Sequence, residues 1–291
     1  MKENLFVSFS SGYSSAMMAS IIKEKYSDKY NIIFGMANTS KENEDSLIFA
    51  DKCDKYFDLN LVWIEADINP DDGKGTRHIV KTFDTLTRDG SLFEKGIKKY
   101  GIPSVVNKWC NRELKLNAIH SYLKSIGWGN FGQYKTAIGI RADEIDRISS
   151  NKEKFNLWYP LVEMGISKRD RNRFWDNMPF KLNIKGYEGN CDMCFEKTNR
   201  KLCTIYKESP NKIDWWLGME DKYSDKKIEG KETYNSFIDT DGGHYSLRNN
   251  KSYKDIIILA KQPFKKASDE YVYESDLFDM AGNCDGGCNI F

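Results

Sequence analysis

Short apolar runs and stretches of helical spacing alternate along the first half of the chain. Leu5-Phe6-Val7 is a compact apolar run that ends in Ser8-Phe9-Ser10-Ser11-Gly12. Ala16, Met17, Ala19, Ile21 and Ile22 then recur at the spacing of one buried helix face. Asn31-Ile32-Ile33-Phe34 predicts a second strand, followed by a helix from about Glu42 to Phe57 with Thr39 and Glu42 as its capping box. Leu61-Val62-Trp63-Ile64 predicts a third strand. Helical spacing returns near 91–100 and again over 112–124, where Leu116, Ile119 and Leu123 share a face. Thr136-Ala137-Ile138-Gly139-Ile140 predicts a fourth strand.

Strand–helix alternation at this spacing implies an α/β fold with a parallel sheet and helices on both faces. Right-handed crossovers gather the loops that follow each strand at one edge, where ligands of such sheets bind. Functional residues are therefore expected in the turns after 7, 34, 64 and 140. Beyond Tyr159-Pro160-Leu161 the pattern changes. Ser167 to Trp175 predicts a short helix capped by Ser167 and Asp170, and the remainder reads as irregular. This divides the chain into a nucleotide-binding-type α/β domain over 1–165 and a Cys-containing C-terminal region over 166–291 packed on it.

Composition narrows the classes. Of the 291 residues, 40% are hydrophobic and 30% charged, which is ordinary globular usage and excludes collagen-like or wholly disordered chains. Lys and Arg number 44 against 43 Asp and Glu, a net charge of +1. Extended nucleic-acid binding is not indicated, although a local basic pocket remains open. No apolar run approaches a membrane span, the apolar stretch within Met1 to Ser8 reads as too short for a signal peptide, and the expected location is cytoplasmic. Seven cysteines in such a chain do not read as a disulfide framework.

Four segments carry chemistry. Ser10-Ser11-Gly12-Tyr13-Ser14-Ser15 lies between a strand and a helix. Small residues there let backbone amides approach an anion, and the helix N-terminus adds its positive end. The same segment is also compatible with a plain turn capped by Ser14. Gly139-Ile140-Arg141-Ala142-Asp143-Glu144-Ile145-Asp146-Arg147 places two arginines and three carboxylates just past a strand end, suited to phosphate or sulfate or to a surface ion-pair cluster. Cys110 precedes Arg112 and Lys115 and reads either as a reactive thiol or as a small packing residue. Gly189-Asn190-Cys191-Asp192-Met193-Cys194-Phe195 contains a CxxC, which points to metal, cluster or redox chemistry. Cys284 and Cys288 form a second pair near the C-terminus, and Cys53 and Cys203 fall in helical stretches as packing residues. His78, His120 and His244 form no motif.

Together these segments resemble the phosphoadenosine phosphosulfate (PAPS) reductase-like branch of the PP-loop, or adenine nucleotide alpha-hydrolase, superfamily, over about residues 5–203. Val7 to Ser15 resembles the family's SGGxxS pyrophosphate loop, and Met36 to Glu42 its segment after the second strand. Thr87-Arg88-Asp89-Gly90, Cys110 to Lys115, Gly139 to Glu144, Tyr159-Pro160-Leu161 and Gly189 to Phe195 resemble further blocks in the same order. Two positions depart from the pattern: Ser11 stands at the first loop glycine, and Ser14 stands where ATP-pyrophosphatase relatives often have Asp. The tail, Gly282 to Phe291, lacks the Glu-Cys-Gly-Leu-His segment of true PAPS reductases.

The resemblance implies a Rossmann-like (HUP/PP-loop) core and an adenine nucleotide, ATP or PAPS-type, with Mg as a further candidate. Its phosphates would lie on Ser10, Ser11, Gly12, Tyr13, Ser14 and Ser15, with Met36 and Asn38 beside base or ribose and Arg112, Lys115 and Arg141 facing phosphate or sulfate. The cysteine-rich pattern is closer to PP-loop sulfurtransferases, which join a nucleotide site to an iron–sulfur cluster. It implies a [4Fe–4S] cluster on Cys110, Cys191, Cys194 and either Cys288 or Cys284, with zinc on the same thiolates as the alternative. The pair member that is not a ligand would be a catalytic thiol. A thiol-dependent PAPS or adenosine phosphosulfate reductase, served by a thioredoxin-like reductant, is the second reading. A non-catalytic, metal-stapled nucleotide binder is the third. The sulfur donor or acceptor is left open between tRNA, DNA, a metabolite and a protein.

Overall fold

The computed structural model describes residues 2–104, 107–189, 191–223 and 252–269. The chain is α/β. Its strands are β1 (Glu3–Ser8), β2 (Tyr30–Asn38), β3 (Val62–Ile68), β4 (Thr76–Lys81), β5 (Lys135–Ala137) and β6 (Leu157–Trp158). They form one sheet in the order β4-β3-β2-β1-β5-β6, parallel except for the β3–β4 pair. The chain winds outward from β1 to β3, then returns to β5 on the other side of β1. The order therefore reverses between β1 and β5, the crevice where Rossmann-like sheets bind ligands.

Period-two alternation assigns the sheet residues to two cores. Leu5, Val7, Phe34, Met36 and Trp63 face α1 (Tyr13–Tyr26), α2 (Glu44–Phe57) and α6 (Lys168–Asp176). Phe6, Ala37, Ile64, Ala66 and Ile68 face α3 (Ser91–Tyr100), α4 (Ala118–Ser125) and the later helices α7 (Asn199–Glu208), α8 (Asp214–Tyr223) and α9 (Tyr253–Lys261). A one-turn helix, α5 (Pro160–Glu163), follows β6. Helices thus cover both faces, and residues beyond 166 contribute to both cores. Where it is described, that C-terminal part is largely short helices joined by turns. Ser167 caps α6 as expected, with Asp170 completing the box. Cys53 and Cys203 are buried helix residues, and burial pushes the Cys53 thiol up.

Four expectations are corrected. The helix after β2 is not capped by Thr39 and Glu42. Ser40 takes a left-handed φ of 66° and Glu42 pairs with Cys191 as an isolated bridge, so α2 starts later, capped by Asn43 accepting from the Asp45 amide at 3.2 Å. Residues 111–117 form a π-helix rather than the start of an α-helix. The wider turn shifts the register, so Leu114, Ile119 and Leu123 are buried while Leu116 is only partly so. Strand β4 went unread in the sequence because it is an exposed antiparallel edge with no apolar face. The strand at Thr136 is therefore fifth in order, and it ends at Ala137, leaving Gly139 and Ile140 in the following loop.

Candidate functional site

The Ser10–Ser15 turn joins β1 to α1 at the crevice. Ser11 adopts the left-handed region, φ 57°, the conformation a glycine takes without strain. Gly12 is instead extended, at φ −98° and ψ 161°, and is the N-cap of α1. These are backbone angles that any residue adopts. The hydroxyls of Ser10, Ser11 and Ser15 are used within the turn. Ser11 Oγ donates to Ser10 O at 2.6 Å, Ser15 Oγ donates to Gly12 O at 3.0 Å, and Ser10 Oγ donates to Ser15 Oγ at 3.0 Å. What the turn offers an anion is the first amides of α1, which have no intrahelical partner, and the positive end of its dipole. Tyr13 turns away: it stacks on Trp175 at 4.9 Å, and its hydroxyl accepts from the Leu182 amide.

Arg141 reaches the same turn from the loop after β5. It is 2% exposed, and its Nη1 donates to Ser14 Oγ at 3.1 Å. Asp143 holds its Nε at 3.0 Å, and Glu144 lies 3.2 Å from Nη1. Burial pushes the Asp143 carboxyl up, but the Arg141 hydrogen bond and charge outweigh it and hold the group below its ordinary value. Gly139 brings the two loops together. A Cβ there would stand 2.9 Å from Ser15 Cα and 3.0 Å from Ser15 N, so only glycine allows this backbone approach.

The loop after β2 is fixed by a buried carboxylate that sequence reading missed. Glu65, 1% exposed, accepts from Asn38 Nδ2 at 2.7 Å and from the Thr87 amide at 2.6 Å and hydroxyl at 2.9 Å. The other Asn38 donor goes to Thr87 O, and its Oδ1 accepts from the Ser40 amide. Asn38 therefore shapes the loop with its whole amide, and the Met36 side chain lies in the core.

Beside this loop, Cys110, Cys191 and Cys194 line a single cavity of about 90 Å³ with Thr39, Asn111, Lys108, Lys115, Glu196 and aromatic walls that include Trp216. That is well below the roughly 300–1,000 Å³ of small-molecule pockets, so it suits a small group and not a nucleotide. Thr39 Oγ1 lies 3.3 Å from Cys191 Sγ. Lys41 ties the CxxC loop down through Asp192 at 3.1 Å, and Trp216 donates to the other Asp192 oxygen at 2.7 Å. Lys115 lies 3.4 Å from Glu42. Arg112 turns instead to Glu113 at 2.7 Å and lies over the Tyr100 ring. Trp109, buried and donating to Gly101 O, anchors the stretch before Cys110. Among the described residues, no group of three or more His, Cys, Asp and Glu is arranged to hold a metal ion. Asn190, Cys284 and Cys288 lie outside the described residues.

The chain is 32% identical over 200 residues, 67% of each protein, to an uncharacterized nin region protein, ORF290, of Escherichia phage lambda. It belongs to the family of that phage protein. It is also 29% identical over 222 residues to the uncharacterized protein MJ0973 of Methanocaldococcus jannaschii, spanning 73% of this chain and 46% of that one. No family model matches the chain. Among the described residues, no helix is long and apolar enough to cross a membrane.

Proposed function

We propose that the chain is a PAPS reductase-like PP-loop enzyme of sulfur chemistry. In this reading it binds an adenine nucleotide beyond β1 and holds an iron–sulfur cluster on Cys110, Cys191, Cys194 and one cysteine of the C-terminal pair. The observation that carries the reading is the meeting of two sites on one sheet edge: the turn after β1, contacted by Arg141, and the three-cysteine cavity against the loop after the adjacent β2. Thiols that share a small cavity are a soft donor set, fitting iron–sulfur or zinc and not an oxygen-seeking cation. When bound, the cluster would hold or deliver sulfur.

The chain's own residues have distinct tasks. The α1 amides would take a phosphate oxygen, and Arg141 would supply a charge-assisted contact to a second anionic group. Gly139 keeps these two in register. Thr39 and Lys115 face the cysteine cavity and would orient the group held there. Asp143 and Glu144 hold the guanidinium in place, so little ordering is needed when a ligand binds.

Pyrophosphate release from ATP, measured beside sulfite release from PAPS, tests the reading. Pyrophosphate release supports the sulfurtransferase form, and sulfite release supports the reductase form. Neither activity, with nucleotide bound, would leave a non-catalytic binder.

A further inference from the structure

The turn that carries Cys191 and Cys194 is built around a buried ammonium. Lys197 is 5% exposed, and its Nζ donates to Gly189 O at 2.5 Å and to Cys191 O at 2.6 Å. Its own amide donates to Cys194 O at 3.0 Å. These two carbonyls take two of the three ammonium donors but carry no formal charge. The carboxylates nearest in sequence are engaged elsewhere: Asp192 with Lys41 and Trp216, and Glu196 with Lys108 at 2.5 Å. A buried cation is costly unless a negative charge offsets it. The turn contains one source of such charge, the two sulfurs, once they ligate metal as thiolates.

We propose that Lys197 is the fixed counter-charge of the cysteine site, offsetting the negative charge that ligation concentrates at Cys191 and Cys194 and raising the reduction potential of the centre. This rests on the cluster reading above. Lys197 does not line the cavity, so it is a positioning residue that acts from behind the turn. A purely structural role would pin the two carbonyls, and any donor of the right reach would serve.

The test uses full-length protein prepared anaerobically, as wild type, Lys197→Gln and Lys197→Arg, with iron content and reduction potential measured on each. Gln keeps a donor and removes the charge; Arg keeps the charge. The reduced centre carries one more negative charge, so losing the cation should move the Gln variant to a more negative potential while Arg stays near wild type. If Gln costs the protein its iron, retention should be at least tenfold below that of the Arg variant, the scale of a lost supporting contact. An iron-loaded Gln variant with the wild-type potential overturns the inference alone, as does an Arg variant as impaired as Gln. Wild-type protein that holds no iron overturns the cluster reading and this inference together.

Discussion

The Thr39 hydroxyl and the Cys191 sulfur lie 3.3 Å apart although 152 residues separate them in sequence. The contact joins the loop after β2 to the CxxC turn, and the Glu42–Cys191 bridge and the Asp192 amide bonded to Lys41 O reinforce it. Thr39 also lies 3.1 Å from Glu42. Thr39→Val keeps the shape and removes the hydroxyl. Denaturant unfolding should show a loss of about 1–3 kcal/mol, the cost of leaving buried polar partners unmet. Unchanged stability would mean that the junction does not depend on this contact.

Gly139→Ala should abolish nucleotide binding while leaving the sheet folded. The added Cβ would press on the backbone of Ser14 and Ser15, which has no flexible end to move aside. Calorimetric titration with ATP, beside circular dichroism, checks this; wild-type affinity in the alanine variant would contradict it.

Arg141→Ala should weaken a phosphate-bearing nucleotide by about 1.5–3 kcal/mol, the scale of a charge-assisted hydrogen bond. Adenosine should bind both proteins alike. Equal losses for adenosine and its phosphorylated form would show that Arg141 supports the pocket and does not contact the anion.

Ser11→Gly should stabilise the protein, because a non-glycine residue at φ 57° carries strain of order 1 kcal/mol. The gain is reduced by the lost hydroxyl bond to Ser10 O and by the added freedom of the unfolded chain. A thermal-unfolding midpoint that falls sharply would contradict this and assign the serine hydroxyl the larger role.

The strands and helices that face a core were legible because their apolar periods are clean, as in Leu5-Phe6-Val7 and α3. The edge strand β4 was not, since Thr76, His78 and Val80 present no buried face. The π-turn at 111–117 leaves no periodic signature, and Leu116 misled because one extra residue per turn moves Leu114 into the core. In the site, small residues and cysteine spacing identified the Ser10–Ser15 turn and the CxxC. Glu65 was missed because a lone charge in an apolar run carries no sign of burial, and Lys197 because it stands among charged and polar residues that read as surface. Asn38, Met36 and Tyr13 lie in the candidate segments, but their side chains serve the loop or the core.

Glu113 ties the π-helix to β4 through Thr76 and also accepts from Arg112 and Asn117. Burial pushes its carboxyl up, but these bonds together outweigh burial and hold it below its ordinary value near 4.5. A depressed pKa contributes stability that is present above the unfolded value and lost as pH falls through the folded one. Unfolding midpoints should therefore hold steady above about pH 5 and drop below pH 4.5, less steeply in Glu113→Gln. Parallel pH profiles for the two proteins would remove Glu113 from the acid response.

The most direct test of the central claim is the visible spectrum of anaerobically purified protein, taken with iron and zinc analysis and repeated for Cys191→Ser. The cysteine site predicts brown protein with broad absorption near about 400 nm, lost in the variant. Colourless protein with one equivalent of zinc would replace the cluster with a structural metal on the same thiols. Protein that holds no metal under these conditions would contradict the account.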